Sequence, residues 1–576
     1  MLVPIQAQNR GSVPKLGTVG STGRVIARRL GICQNRRMLA LSRRRSEGSE
    51  QGPGMDRDKA IDSIAGFRGY WDIVIIGGGA TGLGTAVDAA ARGYRTLLVE
   101  QSDFAKGTSS RSTKLVHGGV RYLRQGNVSL VLEALHERGL LAHNASHLVR
   151  NQSFIVPVYD WWEGPFYGIG LKVYDKLAGK LGIAPSENLS RAETLALIPN
   201  LEPRGLRGGV IYYDGQFDDS RLAINLAQTA AEHGATVVNY MRVTGLLKAG
   251  GMVTGVAAED RESGTELEIR ARVVINATGV FTDQVLRMDD PGVAPIITLS
   301  QGTHLVLGRE FLTGDTAIMV PQTTDGRVLF AVPWHDRVVV GTTDTPVSEP
   351  SLEPRALPEE VDFILENAAA YMAKDPTRAD VLSVFAGLRP LVTADDEEET
   401  AKLSRDHTVL VSQSGLVTIT GGKWTTYRRM AKDVVDQAAM VAGLVERPCP
   451  TESLRIHGWL KNIDATDPLY VYGTEAPAVR ALAEERRALG QRIHQRLPVT
   501  AAQVVWAVRR EMARTVEDVL ARRTRALLLD ARASIEAVPA VARIMDRELG
   551  HGRAWQKTQV AAYTTIAGNY VLDFTG

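Results

Sequence analysis

Cysteine is almost absent from this chain: Cys33 and Cys449 are the two among 576 residues. Two thiols exclude a disulfide framework, an iron–sulfur cluster and a Cys-rich zinc site, and they point to a reducing compartment. Long apolar runs are missing too. No stretch of about 18 apolar residues occurs, so no helix is expected to cross a bilayer and any membrane contact is peripheral. Net charge is nearly absent, at +2 from 67 basic and 65 acidic residues. That balance gives no bulk attraction to nucleic acid, and an electrostatic partner must be met by a local patch.

What is present is an ordinary globular composition, 44% apolar and 23% charged, with room for two or three domains. Residues 1–54 stand apart, with ten basic and two acidic residues. Such Arg- and Ser-rich, acid-poor segments resemble organelle transit peptides. The plainer reading is a disordered extension or a start-site artefact, since Met55 directly precedes the ordered pattern. From Trp71 the chain reads strand, Gly-rich turn, Ala-rich helix (Thr85 to Arg92), then a second strand ending at Glu100, which is one βαβ unit. Helices are expected at 130–150, 220–234, 357–373 and 425–441, with a strand at 236–243 and strands again near 252–345 and 408–420. The domains expected are a basic extension (1–54), interleaved nucleotide- and substrate-binding domains (55–445) and a helical domain (450–576).

Gly77, Gly79 and Gly82 fill G-x-G-x-x-G between a strand and a helix, with Glu100 about 20 residues on. The first glycine allows a tight turn, the second lets backbone approach a pyrophosphate, and the third packs the helix closely. The helix N-terminus offers free N–H groups to phosphates, and Glu100 can accept both ribose hydroxyls. These features alone do not separate FAD from NAD. Val273 to Gly279, a buried strand ending in Ala-Thr-Gly, resembles the second flavin-binding motif of two-dinucleotide-fold flavoproteins. Gly415 to Thr426, with Gly421-Gly422-Lys423, resembles their C-terminal strand–turn–helix. Together they select FAD. Its expected contacts are Gly77, Gly78, Gly79, Ala80, Thr81, Gly82, Glu100, Thr108, Ser109, Ser110, Val243, Gly279, Gly422 and Thr425.

A second group of residues suits a small anionic substrate. Thr108 to Leu123 is a hydroxyl- and Gly-rich loop that delivers Arg121 and Tyr122 to a cavity. His304, Arg389, Arg405 and Lys423 each stand beside a turn. Arg forks bind phosphate with paired bonds, and Lys acts as a point charge.

The strings Thr108–Leu123, Gly387–Leu391, Gly421–Arg428 and Asp518–Arg525 resemble the FAD-dependent respiratory glycerol-3-phosphate dehydrogenases over roughly residues 70–576. The resemblance implies an α/β fold with a Rossmann-type FAD domain of the amine/sarcosine-oxidase type. It also implies an interleaved antiparallel substrate-binding sheet and a C-terminal helical domain. It further implies oxidation of glycerol 3-phosphate to dihydroxyacetone phosphate by hydride transfer to FAD, with electrons passed to membrane quinone. Arg121, Tyr122, Arg405 and Lys423 would bind substrate, with His304 as candidate base and Arg389 beside the forming alkoxide. His117 is a weaker candidate base. The aromatic and Lys-bearing segment Phe154–Lys180 could meet a lipid surface. A glycerol-phosphate oxidase using oxygen, an amine- or amino-acid-oxidising flavoenzyme and a flavin-binding protein without turnover stay open, as does a homodimer. The chain has no D-x-D-x-D-G calcium loop with a closing Glu, unlike animal mitochondrial members. A bacterial-type protein, cytoplasmic and peripheral to the cytoplasmic membrane, is therefore expected over a mitochondrial one.

Overall fold

The computed structural model describes residues 55–119, 127–179, 182–393 and 406–572, which belong to one compact unit. At its centre lies the strand Trp71–Ile76. Ile73, Val74 and Ile75 have no exposed surface. Such a near-continuous aliphatic run is what a parallel strand covered on both faces requires. Each of these side chains contributes about 1.5–3 kcal/mol by leaving water. Trp71–Ile76 pairs in parallel with Thr96–Val99 on one side and Glu266–Asn276 on the other. Thr236–Val238 and Val417–Gly421 extend the parallel sheet, and Met241–Ala249 and Met252–Asp260 add an antiparallel arm. The helices Ala80–Ala91, Asp219–Glu232 and Tyr427–Val441 cover it.

A second sheet of ten strands is almost wholly antiparallel, with one parallel pair between Ala317–Val320 and Val149–Val158. Its spine is Ile297–Gly308, paired along its length with Val381–Val392. The register sets Ser300 opposite Arg389 and His304 opposite Phe385. Residues four apart on a strand share a face, so this one pairing brings Arg389 and His304 to the same side.

The C-terminal region is helical: Ala501–Arg510, Ala531–Leu549 and Arg553–Gly568, with a π turn at Asp518–Arg523. Thr500 and Gln503 cap the first of these reciprocally, and Asp530 accepts from Ala533 N to start the second. Val306, Trp334, Val339 and Phe385 of the second sheet share a core with these helices. The helical region therefore packs directly on the sheet that carries Arg389 and His304.

Several elements differ from the sequence reading. The stretch 252–345, read as strands, contains the helix Thr282–Asp289, and the helix expected over 357–373 ends at Ala369. The expected helix at 130–150 runs from Val128 to Asn144, and Val149 already opens a strand. The expected strand at 236–243 breaks at Asn239 and Tyr240, where Tyr240 takes φ +55°. Long-range contacts account for the break. Asn239 Nδ2 donates to Asp103 and to Met512 O, and the Tyr240 hydroxyl donates to Asp518 at 2.6 Å.

One ionic site gives the fold a pH dependence. The His457 imidazolium donates from Nδ1 to Glu232 at 2.6 Å, and its Nε2 lies 3.0 Å from Glu475. Burial pulls this imidazole down, but the two carboxylates outweigh it and push it up to about 9. A group raised on folding stabilises fully below its unfolded value of about 6.5 and loses that effect as pH rises toward about 9. His457→Gln is therefore expected to lower Tm at pH 6, by a contribution on the order of 3 kcal/mol. The difference from wild type should shrink steadily and vanish above pH 9. A pH-independent difference would show that the pair does not carry the effect.

Candidate active site

The Gly-rich turn opens the first cavity. Gly77 has φ +111°, and a Cβ there would stand 2.6 Å from Ala277 O. A Cβ on Gly82 would stand 1.8 Å from Gly77 O, so the helix can approach its own turn only without a side chain. Gly79, Ala80 and Thr81 line the cavity, and the first turn of the helix, whose N–H groups have no partner within the helix, lies there. One of these, Ala80 N, donates to Ser109 Oγ at 2.9 Å. Glu100 is fixed by Gly78 N at 2.6 Å and Ser102 N at 2.8 Å, and burial pushes its carboxyl up. Glu100 is part of the cavity wall.

The far wall comes from the segments whose sequence suggested a flavin. Thr278 and Gly279 end the strand Glu266–Asn276, and at Gly279 (φ +57°) a Cβ would meet nothing within 4 Å. Gly421 and Gly422 form the other turn, and Trp424 Nε1 donates to Ser109 O at 2.9 Å, stitching the two walls together. A glycine cradle, a helix N-terminus, a carboxylate at the strand end and a second glycine turn are the donor set an FAD needs. The residues present fit it.

Among the expected cofactor contacts, Gly77, Gly79, Ala80, Thr81, Glu100, Thr108, Ser109, Val243, Gly279 and Gly422 line this cavity. Gly78, Gly82, Ser110 and Thr425 stand behind its wall: Gly78 N holds Glu100, and Thr425 Oγ1 accepts from His117 N at 3.3 Å. Lys423, read from sequence as a substrate ligand, lines the flavin cavity. Lys106, Phe281 and Leu352 also line it and were not foreseen. Lys106 lies between Glu100 and Thr108, both of which line the cavity, and with Ala105 and Gly107 it follows the stretch Ser102–Phe104 that turns away from it.

A second cavity adjoins the first. Arg389 lines one and its neighbour Pro390 the other. Thr113, His117, Asp214, Arg327, Thr342, Thr343 and Asp344 add to the polar lining of the second, and Phe154, Tyr212 and Phe330 supply an apolar side. Among the described residues Arg389 donates to Ser300 Oγ at 3.4 Å, Asp344 Oδ1 at 3.3 Å, Thr342 Oγ1 at 3.2 Å and Thr343 O at 3.0 Å. Such a fork is preorganised, which a flexible Lys could not match.

His304 does not itself reach this cavity. It is buried, its ring stacks on Phe385 at 4.8 Å, and Nε2 shares a 2.9 Å hydrogen bond with Thr113 Oγ1. Thr113 is the residue on the cavity wall. Burial, then Arg389 and Lys114, hold this imidazole well below its ordinary value and therefore neutral. His117, the weaker candidate in sequence, stands on the wall directly. Arg121, Tyr122 and Arg405 lie outside the described residues. Among the described residues no cluster of three His, Cys, Asp or Glu side chains could hold a metal, and no helix is long and apolar enough to cross a membrane.

Comparison with known proteins agrees with this geometry. A family model described as FAD dependent oxidoreductase matches residues 72–428, and one described as the C-terminal domain of alpha-glycerophosphate oxidase matches residues 412–559. The mitochondrial glycerol-3-phosphate dehydrogenase of Mus musculus is 40% identical over 517 residues, 83% of this chain and 70% of that protein. That of Schizosaccharomyces pombe is 37% identical over 560 residues, 85% of this chain and 86% of that protein. The crystal structure of a glycerol-3-phosphate dehydrogenase from Bacillus halodurans complexed with FAD is 31% identical, with a TM-score of 0.73. The match covers 91% of this chain and 99% of that one.

These relatives correct one expectation. The bacterial-type, cytoplasmic placement leaned on the missing calcium loop. The chain nevertheless matches mitochondrial proteins of animals and yeast over most of its length without one. The missing loop therefore does not separate the two groups, and the relatives matched are mitochondrial.

Proposed function

The chain belongs to the FAD-dependent glycerol-3-phosphate dehydrogenase family, and from that premise we propose that it oxidises the C2 hydroxyl of sn-glycerol 3-phosphate to the ketone of dihydroxyacetone phosphate. The observation that carries this reading is the polar cavity holding Arg389, which abuts the flavin cavity at adjacent residues. Bound FAD supplies the two-electron acceptor for the hydride leaving C2. Arg389 stabilises the negative charge that develops on the C2 oxygen. The Thr113 hydroxyl takes the C2–OH proton and passes its own to neutral His304, whose burial and the charges of Arg389 and Lys114 favour returning it afterward. Arg121, Tyr122 and Arg405 are proposed on the family resemblance to surround the phosphate, joined here by Arg327, while Lys423 stands on the flavin cavity instead.

The acceptor is proposed to be a membrane quinone. Dihydroxyacetone phosphate formation with a soluble quinone analogue should far exceed that in air alone. Stoichiometric oxygen uptake without quinone would make the protein an oxidase instead. A lipid surface is the proposed location for that exchange. In the helix Glu163–Ala178, Leu171 and Tyr174 face inward, while Phe166, Ile169 and Val173 are exposed. Trp161 and Trp162 stand exposed just before it, and Lys172 and Lys176 flank the stripe. An apolar face edged by Lys and Trp suits the headgroup boundary. Replacing Trp161 and Trp162 with Ser is expected to weaken vesicle binding at least tenfold, since each ring entering the interface is worth roughly 1.5–3 kcal/mol. Unchanged vesicle binding would overturn the assignment.

A further inference from the structure

The wall of the flavin cavity between Glu100 and Ser110 is held from outside by residues some 400 positions later in the chain. Asp103, fully buried, receives Arg522 Nε at 2.5 Å and Arg523 Nη2 at 2.8 Å. Arg522 also pairs with Asp518 at 2.8 Å and with Glu517 Oε1 at 2.7 Å. The other Glu517 oxygen, Oε2, lies 2.7 Å from Lys106 Nζ. Lys106 has a second carboxylate, Glu353, at 3.8 Å. Glu353 in turn pairs with Arg111 at 2.8 Å, and the Tyr570 hydroxyl bridges that pair.

These groups form a buried lattice in which Lys106, Arg111, Arg522 and Arg523 offset Asp103, Glu353, Glu517 and Asp518. Burying charges in this way gains little over apolar packing of the same volume, but breaking one pair leaves an uncompensated charge. The lattice therefore fixes geometry, and it fixes it at the flavin. Lys106 and Leu352, the residue beside Glu353, both line that cavity. Burial pushes the Glu517 carboxyl up, but Arg522 and Lys106 outweigh it and hold it down at about 2. It is thus an anion throughout the working pH range.

We infer that Glu517, supplied by the C-terminal helical region, is a positioning residue that holds the Lys106 ammonium against the outer wall of the flavin cavity and masks its charge from the flavin. The inference rests on this cavity being the FAD site. The C-terminal region then tunes the electrostatics of a cofactor it does not touch. An unmasked cation at that wall favours the reduced, more negative flavin, so losing Glu517 raises the flavin midpoint potential.

The test is the midpoint potential of the purified holoprotein, measured against reference dyes, in a double-mutant cycle of Glu517→Gln and Lys106→Met. E517Q is expected to shift the potential positively. K106M is expected to shift it negatively by a comparable amount, because Glu517 is then the unmasked charge, and the double variant is expected to return close to wild type. No shift in E517Q, or a positive shift that persists in the double variant, would overturn the inference. Should E517Q lose its flavin on purification, Glu353→Gln removes the second carboxylate from the more exposed side of the lattice. A smaller positive shift is expected there, and none would overturn the inference. A merely structural role would lower Tm and leave the potential of bound flavin unchanged. Failure of the substrate assignment would show separately, as a wild-type flavin that glycerol 3-phosphate does not reduce.

Discussion

Arg389→Lys is expected to lower kcat/KM for glycerol 3-phosphate by about 10²–10³ while the protein keeps its flavin, a loss of about 3–4 kcal/mol of transition-state stabilisation. The guanidinium is held by Ser300, Asp344, Thr342 and Thr343, two acceptors to each terminal nitrogen. A lysine at this position keeps the charge but has a single nitrogen on a flexible stem. It cannot hold both sets of partners and still present a donor to the substrate oxygen. Because the interaction is made with charge that develops during reaction, the loss should fall on kcat more than on KM. Arg389 lines the substrate cavity, while the neighbouring Pro390 lines the flavin cavity, so the flavin spectrum should be nearly unchanged. A change smaller than threefold would remove Arg389 from the reaction.

Gly82→Ala should yield a protein purified largely without flavin. The added methyl would stand 1.8 Å from Gly77 O, well inside van der Waals contact, and the obstacle is backbone that cannot swing aside. The helix Ala80–Ala91 would have to withdraw from the turn, carrying Gly79, Ala80 and Thr81 away from the cavity they line. Overpacking of this kind costs about 1–3 kcal/mol in stability. The larger effect is on the cofactor, with affinity for FAD expected to fall at least a hundredfold, or about 3 kcal/mol. The ratio of flavin to protein absorbance after purification reads this directly. A stoichiometric flavin content would mean that the close approach of helix and turn is not what shapes the site.

The flavin site was legible in sequence because each part is a local string with one geometry. Gly77 to Gly82 can only be a tight turn into a helix, and Glu100 follows at the distance a βαβ unit sets. The Ala-Thr-Gly and Gly-Gly-Lys turns were each ambiguous alone, and the parallel pairing of their strands beside Trp71–Ile76 is what joins them. The second cavity was only partly legible. Arg389, singled out because it sits in a recognisable string, does line it. Thr113, Asp214, Arg327 and Asp344 were not singled out, since their convergence depends on the register of a ten-stranded sheet.

His304 shows the limit most clearly. Its sequence position suggested a base at the cavity, and the register instead sets it one hydrogen bond behind Thr113. The Asp103–Arg522 lattice was not anticipated at all. Its partners lie some 400 residues apart, and charged side chains are usually read as a solvated surface. The same lattice explains why the strand expected over 236–243 breaks. Asn239 and Tyr240 are drawn to Asp103 and Asp518, and that attraction overrides the local preference for an extended chain.

One cavity fits FAD, and its neighbour is proposed to hold glycerol 3-phosphate. The most direct measurement mixes the purified holoprotein with glycerol 3-phosphate in the absence of oxygen and follows flavin absorbance at about 450 nm. Rapid bleaching, absent with glycerol or with an amino acid, is the predicted result. A flavin that stays oxidised with saturating glycerol 3-phosphate but bleaches with an amino acid would contradict the account.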